Sequence, residues 1–201
     1  MTIAAILLAG GRSTRMGAPK PLLEWQGQTI VEYQGRQLKQ LPVDQLVVVL
    51  GHGADDVRPL VHRIGGLCVI NELYNEGRAS SVRVGAAALS EETDTVLVLN
   101  VDQPRPVEMM RRLVSEHQKS SSLITVPAYK GKRGHPTVFD GSLLPAMREV
   151  QEETQGLRNV VASNERQVLE VEFDSAVVLL DLNEPDQYEA ALKSYPNEVT
   201  Q

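Results

Sequence analysis

Three cations and two adjacent glycines sit together near the start of the chain, in Gly10-Gly11-Arg12-Ser13-Thr14-Arg15-Met16-Gly17-Ala18-Pro19-Lys20, with no acid among them. Adjacent glycines accept positive φ and let backbone N–H groups approach a ligand, and Arg12, Arg15 and Lys20 supply charge for a polyphosphate. The familiar phosphate cradles do not fit. Gly11 and Gly17 are separated by five residues and followed by Ala18-Pro19, so the Gly-x4-Gly-Lys-Ser/Thr pattern fails. Gly10-Gly11 is not Gly-x-Gly, so the dinucleotide fingerprint fails too. A flexible turn with solvated arginines is the plain alternative. The loop leaves a buried strand at its carboxyl end, where open α/β sheets bind ligands, and this favours the triphosphate. A second glycine pair, Gly51-His52-Gly53, lacks a third glycine and is weak.

Two acidic sites follow. The run Val96-Leu97-Val98-Leu99-Asn100-Val101-Asp102 is a hydrophobic strand ending on one carboxylate. Asp102 can hold a divalent cation beside the first loop, since magnesium takes one or two protein carboxylates and fills its other positions with phosphate and water. A turn residue before Pro104, or a helix cap, would look the same. Further on, Asp181 and Asn183 alternate on an expected strand end and so point to one side. Asp181 is the better metal ligand, because a hard cation favours carboxylate over amide oxygen. Asn183 or Glu184 also suits the N-terminus of the last helix.

Ser80 and Ser81 open a helix, where an N-cap is the ordinary role. Arg133 and His135 lie in a basic, glycine-rich loop that runs into a strand; a solvated hairpin tip would read similarly. His52 and His62 have no partner pattern, and His117 lies in a polar helix end.

These residues need a scaffold. Apolar runs at 3–8, 46–50, 67–70, 95–99, 123–126, 168–173 and 176–182 predict strands, several buried on both faces. Helical patterns cover 30–41, 81–89, 107–114 and 185–192, the last with Tyr188, Ala191 and Leu192 facing inward. Alternating strands and helices imply right-handed crossovers and a mostly parallel sheet with helices on both faces. No internal repeat or linker divides the chain, so a single domain over 1–201 is expected.

Composition removes several classes. Aromatics are 4% of residues and the net charge is −6, which disfavours stacking on single-stranded nucleic acid and binding to a polyanion. The lone Cys68 supports neither a disulfide nor a zinc cluster and reads as a buried strand thiol. The apolar N-terminus is too short to span a bilayer and has no basic residue ahead of it. A cytoplasmic location, without membrane or nucleic-acid partners, is expected.

The stretch Leu8-Ala9-Gly10-Gly11-x-Ser-x-Arg-Met-Gly-x-x-Lys20 resembles the signature of the MobA-like NTP transferases, and similarity extends over nearly the whole chain. The resemblance implies a three-layer α/β/α fold with a mostly parallel, mixed central sheet, the nucleotide-diphospho-sugar transferase or glycosyltransferase-A-like fold. It implies a nucleotidyltransferase that uses Mg²⁺. Leu8, Ala9, Gly10, Gly11, Arg12 and Lys20, with Ser80 and Ser81, would bind the nucleotide. Lys20, Arg15 and Asp102 would serve catalysis, and Asp102 with Asp181 the metal. Asp102-Gln103-Pro104 and Gly134-His135-Pro136 are similar to the molybdenum cofactor cytidylyltransferase branch, which would give CTP and a molybdopterin-type acceptor held by Arg133 and His135. A molybdoenzyme or its chaperone would then be a partner. Ala9-Gly10-Gly11 is instead the usual spelling of the guanylyltransferase branch, and other phosphorylated acceptors fit the fold. The family's Asp-x-Asp-Thr-Pro is here Asp181-Leu182-Asn183-Glu184-Pro185, which leaves the second ligand open. Absence of a Ser/His/Asp or reactive-cysteine pattern agrees with direct in-line displacement, the acceptor phosphate needing no general base. From a different class, a chaperone that hands over a cofactor without turnover would share these features; pyrophosphate release separates the two.

Overall fold

The computed structural model describes residues 1–195. Its first strand, β1 (Ile3–Leu8), is buried along its whole length. A short ribbon, β2 (Glu24–Trp25) with β3 (Gln28–Thr29), leads into α1 (Ile30–Lys39). Thr29 and Glu32 form a reciprocal capping box that fixes where α1 begins. Then come β4 (Gln45–Leu50), α2 (Ala54–Arg63), β5 (Leu67–Ile70) and α3 (Arg78–Ala87). The second half runs β6 (Thr95–Asn100), α4 (Val107–Lys119), β7 (Ile124–Tyr129), β8 (Lys132–Arg133) and β9 (Thr137–Asp140). It closes with α5 (Leu144–Arg148), α6 (Leu157–Ser163), β10 (Val168–Glu172) and α7 (Pro185–Ser194).

The main sheet has the order β10-β7-β9-β6-β1-β4-β5, with β8 paired to β7. β1 pairs in parallel with β4 and β6, β4 with β5, and β7 with β10. β9 alone of the seven ordered strands runs antiparallel, between β6 and β7. Side chains of β1 alternate between two cores, as strand geometry requires. Ile3, Ala5 and Leu7 face α1, α2, α4 and α7, while Ala4, Ile6 and Leu8 face α3, α5 and α6. This is the expected three-layer α/β/α arrangement with a mixed, mostly parallel sheet.

Several boundaries differ from the sequence pattern. Residues 176–182 are not a strand: Ala176–Leu179 is a single 3-10 turn, and no sheet edge receives it. Its apolar residues serve packing instead, Val177 and Val178 burying against Met109. The glycine pair around His52 leads into α2, with Gly53 in the left-handed region (φ 65°) at the helix start. Helix α4 runs on to Lys119, where His117 is buried and its Nδ1 lies 2.8 Å from Thr125 Oγ1. In α7 Ala191 is buried, but Leu192 is exposed rather than inward. Cys68 is half-buried on the edge strand β5, and burial raises its thiol pKa. No described helix is long and apolar enough to cross a membrane.

Candidate nucleotide-binding site

The glycine loop leaves β1 at the carboxyl edge of the sheet and is braced from both sides. Ala9 N donates to Val49 O at 2.8 Å, and Gly10 O accepts from His52 N at 3.2 Å. A Cβ on Gly10 would lie 3.2 Å from Gly51 N and from Leu50 C, so a glycine here lets the loop lie against the end of β4. Gly11 has open space where a Cβ would stand. Ser13, at φ 53°, turns the chain back so that Lys20 N donates to its Oγ at 3.0 Å.

The turn delivers Lys20 to the end of β6. Its Nζ donates to Asp102 Oδ2 at 2.6 Å and to Asn183 Oδ1 at 2.8 Å. Both partners of the ion pair are largely buried, the Lys20 side chain being 12% and that of Asp102 20% exposed, so water screens them weakly. Asp181 lies in the same wall. Its Oδ1 is buried with no hydrogen-bond partner. Burial, then the nearby Asp102 charge, pushes the Asp181 carboxyl pKa up, while Asn183, Lys20 and Arg105 pull it the other way. An orphaned carboxylate oxygen beside a second carboxylate and an amide is a donor set suited to a hard divalent cation, so the residues fit a divalent-metal site. Among the described residues no group of three or more acids, histidines or cysteines is placed to hold a metal ion.

These groups line a cavity of about 450 Å³ with Leu8, Ala9, Gly10, Gly11, Thr14 and Arg15 on one side and Ser81 and Arg78 on another. Arg15 reaches the rim, 3.9 Å from Glu184, with both side chains exposed. Arg12 is exposed and outside the cavity lining. Ser80 and Ser81 fall within α3, which begins three residues earlier than the expected start. Their hydroxyls accept from Asn71 Nδ2 at 2.8 and 2.9 Å. Ser80 Oγ also donates within reach of Leu73 O and Gly77 O, so it braces the helix entry and does not face the cavity, whereas Ser81 lines it.

A second cavity of about 430 Å³ adjoins the first across Leu8, Asn100 and Arg78. His135 lines it, and Val98, Val126, Phe139, Leu157 and Val161 give it an apolar floor. Burial, then the Arg105 and Arg78 charges, holds the His135 imidazole down to a pKa of about 4, so it is neutral at pH 7. Arg133 lines the same space, but its guanidinium is taken: Nε donates to Glu170 at 2.7 Å, and Nη1 and Nη2 to Glu165 at 3.0 and 2.6 Å. A cavity of about 500 Å³ at the amino ends of the strands, beside Met1 and Asp94, contains none of the candidate residues.

Two supports were not legible in the sequence. Gln34 is fully buried in α1, and its Nε2 donates to Gln103 O at 2.7 Å and Asn100 O at 3.2 Å, fixing the loop that carries Asp102. Arg105 is also fully buried. It donates to the carbonyls of His135 (2.8 Å), Pro104 (3.1 Å), Val178 (3.0 Å) and Leu180 (2.9 Å). Burial lowers its pKa only to about 10, so it stays charged. Together with Leu182 N donating to Asp102 O at 2.9 Å, Arg105 ties the Asp181 segment to the Asp102 loop. Gln34 sits in an ordinary helical pattern and Arg105 in a loop, so neither spacing nor type marked them.

A cation-lined glycine loop and two carboxylates at the carboxyl edge of this mixed sheet define a protein of the nucleotide-diphospho-sugar transferase fold. Over residues 5–168 the chain matches the MobA-like NTP transferase domain. It belongs to that family. Rv0371c from Mycobacterium tuberculosis superposes with a TM-score of 0.84 at 28% identity, over 96% of this chain and 98% of that one. A complex of Rv0371c with manganese gives a TM-score of 0.81 at 26% identity, over 97% and 100%. A nicotine blue oxidoreductase from Paenarthrobacter nicotinovorans is 32% identical over 165 residues, 78% of this chain and 79% of that one. The bifunctional protein GlmU of Staphylococcus saprophyticus is 33% identical over 126 residues, but these cover only 27% of its length.

Proposed function

We propose that this chain transfers a nucleoside monophosphate from an NTP, CTP by preference, to the phosphate of a molybdopterin-type acceptor, releasing pyrophosphate. The observation that carries the reading is Lys20 held on Asp102 and Asn183 beside the orphaned Asp181 oxygen, at the mouth of the glycine loop. In this reading the loop amides, Lys20 and Arg15 hold the triphosphate, with Arg12 reaching it from the rim. Leu8, Ala9 and Ser81 border the nucleoside, and Ser80 keeps Ser81 in place.

Asp102 and Asp181 would hold Mg²⁺, a divalent role supported by the manganese complex of the similar Rv0371c. When bound, the ion neutralises charge on the α-phosphate. The acceptor lies in the second cavity, where neutral His135 offers a hydrogen bond without adding charge. Its phosphate oxygen bonds to the α-phosphorus; the α–β bridging P–O bond breaks and pyrophosphate departs with the electron pair. The acceptor arrives ionised, so no residue need remove a proton. Positioning and charge neutralisation remain as the work of the site. Delivery of the product to a molybdoenzyme or its chaperone belongs to the same proposal.

Pyrophosphate release from each of the four NTPs, with Mg²⁺ and molybdopterin, tests the reading. Release with CTP supports it, release with GTP moves the assignment to the guanylyl branch, and release with neither overturns it. The nicotine blue oxidoreductase relative favours a second reading, in which the nucleotide cavity holds a redox nucleotide and the apolar cavity its substrate. Substrate-dependent oxidation of a reduced nicotinamide nucleotide, without pyrophosphate release, would establish it.

A further inference from the structure

The wall between the two cavities contains one charged side chain, Arg78, the first residue of α3. Among the described residues its guanidinium makes no hydrogen bond and no ion pair. Arg158, near the start of α6, lines the second cavity and is equally unpaired. The third cation there, Arg133, is consumed by Glu165 and Glu170. Glu165 is the acid in the lining, and it is the one Arg133 holds. The carboxylate beside the first turn of α3, Glu152, is itself held by Ala79 N at 2.8 Å. Two cations therefore face the second cavity uncompensated, and both act on the His135 imidazole from nearby.

Everything else about that cavity is poor in charge. Its floor is aliphatic and aromatic. A guanidinium left without a carboxylate partner beside such a surface matches a ligand with an anionic head and an apolar body, because a planar fork binds phosphate oxygens two at a time. A polyhydroxylated body would lose water from each hydroxyl with few partners in return.

We propose that Arg78, seconded by Arg158, grips the acceptor's phosphate at the doorway between the cavities, and that the site thereby selects a phosphate monoester on a compact apolar or heteroaromatic body over a neutral alcohol or a sugar phosphate. The reaction in which this matters rests on the nucleotidyltransferase reading; the anion site does not. Two polyanions must approach for the new P–O bond to form, and Arg78, which borders both cavities, stands where it can neutralise the attacker at the doorway. Arg133, the cation the sequence pointed to, lines the same cavity with its guanidinium paired to Glu165 and Glu170.

Phenyl phosphate, phenol and glucose 1-phosphate serve as probes, with binding read by calorimetry or saturation-transfer NMR on the full chain, and Mg²⁺–NTP affinity measured in parallel. The wild type should bind phenyl phosphate more tightly than glucose 1-phosphate, and phenol should not compete. Arg78→Met should weaken phenyl phosphate about tenfold or more, the loss of a charge-assisted bond. Arg78→Lys should fall between, and Arg133→Met should leave the probe's affinity unchanged. Because Arg78 also borders the nucleotide cavity, NTP affinity in Arg78→Met should fall too, but by less than that of the probe. Equal binding in wild type and Arg78→Met, an equal loss in Arg133→Met, or an NTP loss in Arg78→Met as large as the probe's would each overturn the proposal. Absence of NTP binding in the wild type would sink the transferase reading while leaving the phenyl phosphate result to decide the anion site.

Discussion

Lys20 and Asp102 stand 82 positions apart in sequence, and their side chains meet at 2.6 Å. The glycine loop and the end of β6 are thus locked together by charge. The ammonium sits against the carboxylate that a divalent cation would use, so the two cations compete unless a triphosphate draws the lysine away. Lys20→Met should accordingly bind Mn²⁺ about tenfold more tightly than wild type without nucleotide, and turn over about 10²-fold more slowly. Titration of the Mn²⁺ EPR signal checks the first, and steady-state kinetics the second. Unchanged Mn²⁺ affinity would remove the competition.

Asp181 carries a pH consequence. Its folded-state pKa is raised, so the folded protein holds that proton more tightly than the unfolded chain. The associated stability is present at low pH and lost as pH rises through the folded value. Asp181→Asn keeps the shape and discards the desolvated charge, so its thermal midpoint at pH 7 should exceed that of wild type. The gain should vanish below pH ~4, where the carboxyl is protonated in both states. Divalent-dependent nucleotide binding should fall in the same variant.

For His135 the sign is reversed. Its imidazole is held at about 4 when folded, so protonation is easier in the unfolded chain. This stability is full above the unfolded value and is lost as pH falls toward 4. Between pH 7 and pH 5 wild type should lose about 1–2 kcal/mol more than His135→Asn in urea titrations. The buried His117, whose pKa is also lowered by burial, is common to both proteins and cancels.

Arg105→Met should remove the donor shared by four carbonyls and cost about 3–5 kcal/mol, measured by urea unfolding. Arg105→Lys cannot span the same carbonyls and should recover only part of that loss. A cost under about 1 kcal/mol in Arg105→Met would show that the Asp181 segment holds its place by packing alone.

Much of the sheet could be read directly. Strands such as β1 and β4, buried on both faces, appear as continuous apolar runs, and the first loop announces itself through Gly10, Gly11 and Lys20. Residues 176–182 misled for the same reason: Val177, Val178, Leu179 and Leu180 look like a strand, but periodicity registers burial, not which partner supplies the hydrogen bonds. Here Arg105 does so for Val178 and Leu180. Asn183 stands where the family's second acid would be, and its Oδ1 accepts from Lys20, a partner 163 positions away that local pattern does not reach. The pairing of Arg133 could not be read, because its acids come from residues 32 and 37 positions further on, beyond the reach of local pattern. Arg78 went unread, since only the fold sets it between two cavities.

The direction of β9 has an evolutionary consequence. An antiparallel strand brings its beginning, not its end, to the edge where β1 and β6 finish, so Thr137 lies opposite Val98 with His135 just ahead of it. Arg133, Gly134, His135 and Thr137 beside the second cavity therefore belong to the hairpin from β7, covalently remote from the loop that follows β1. On the proposed reading, lengthening, shortening or resculpting that hairpin would alter which acceptor is admitted without changing the loop that follows β1.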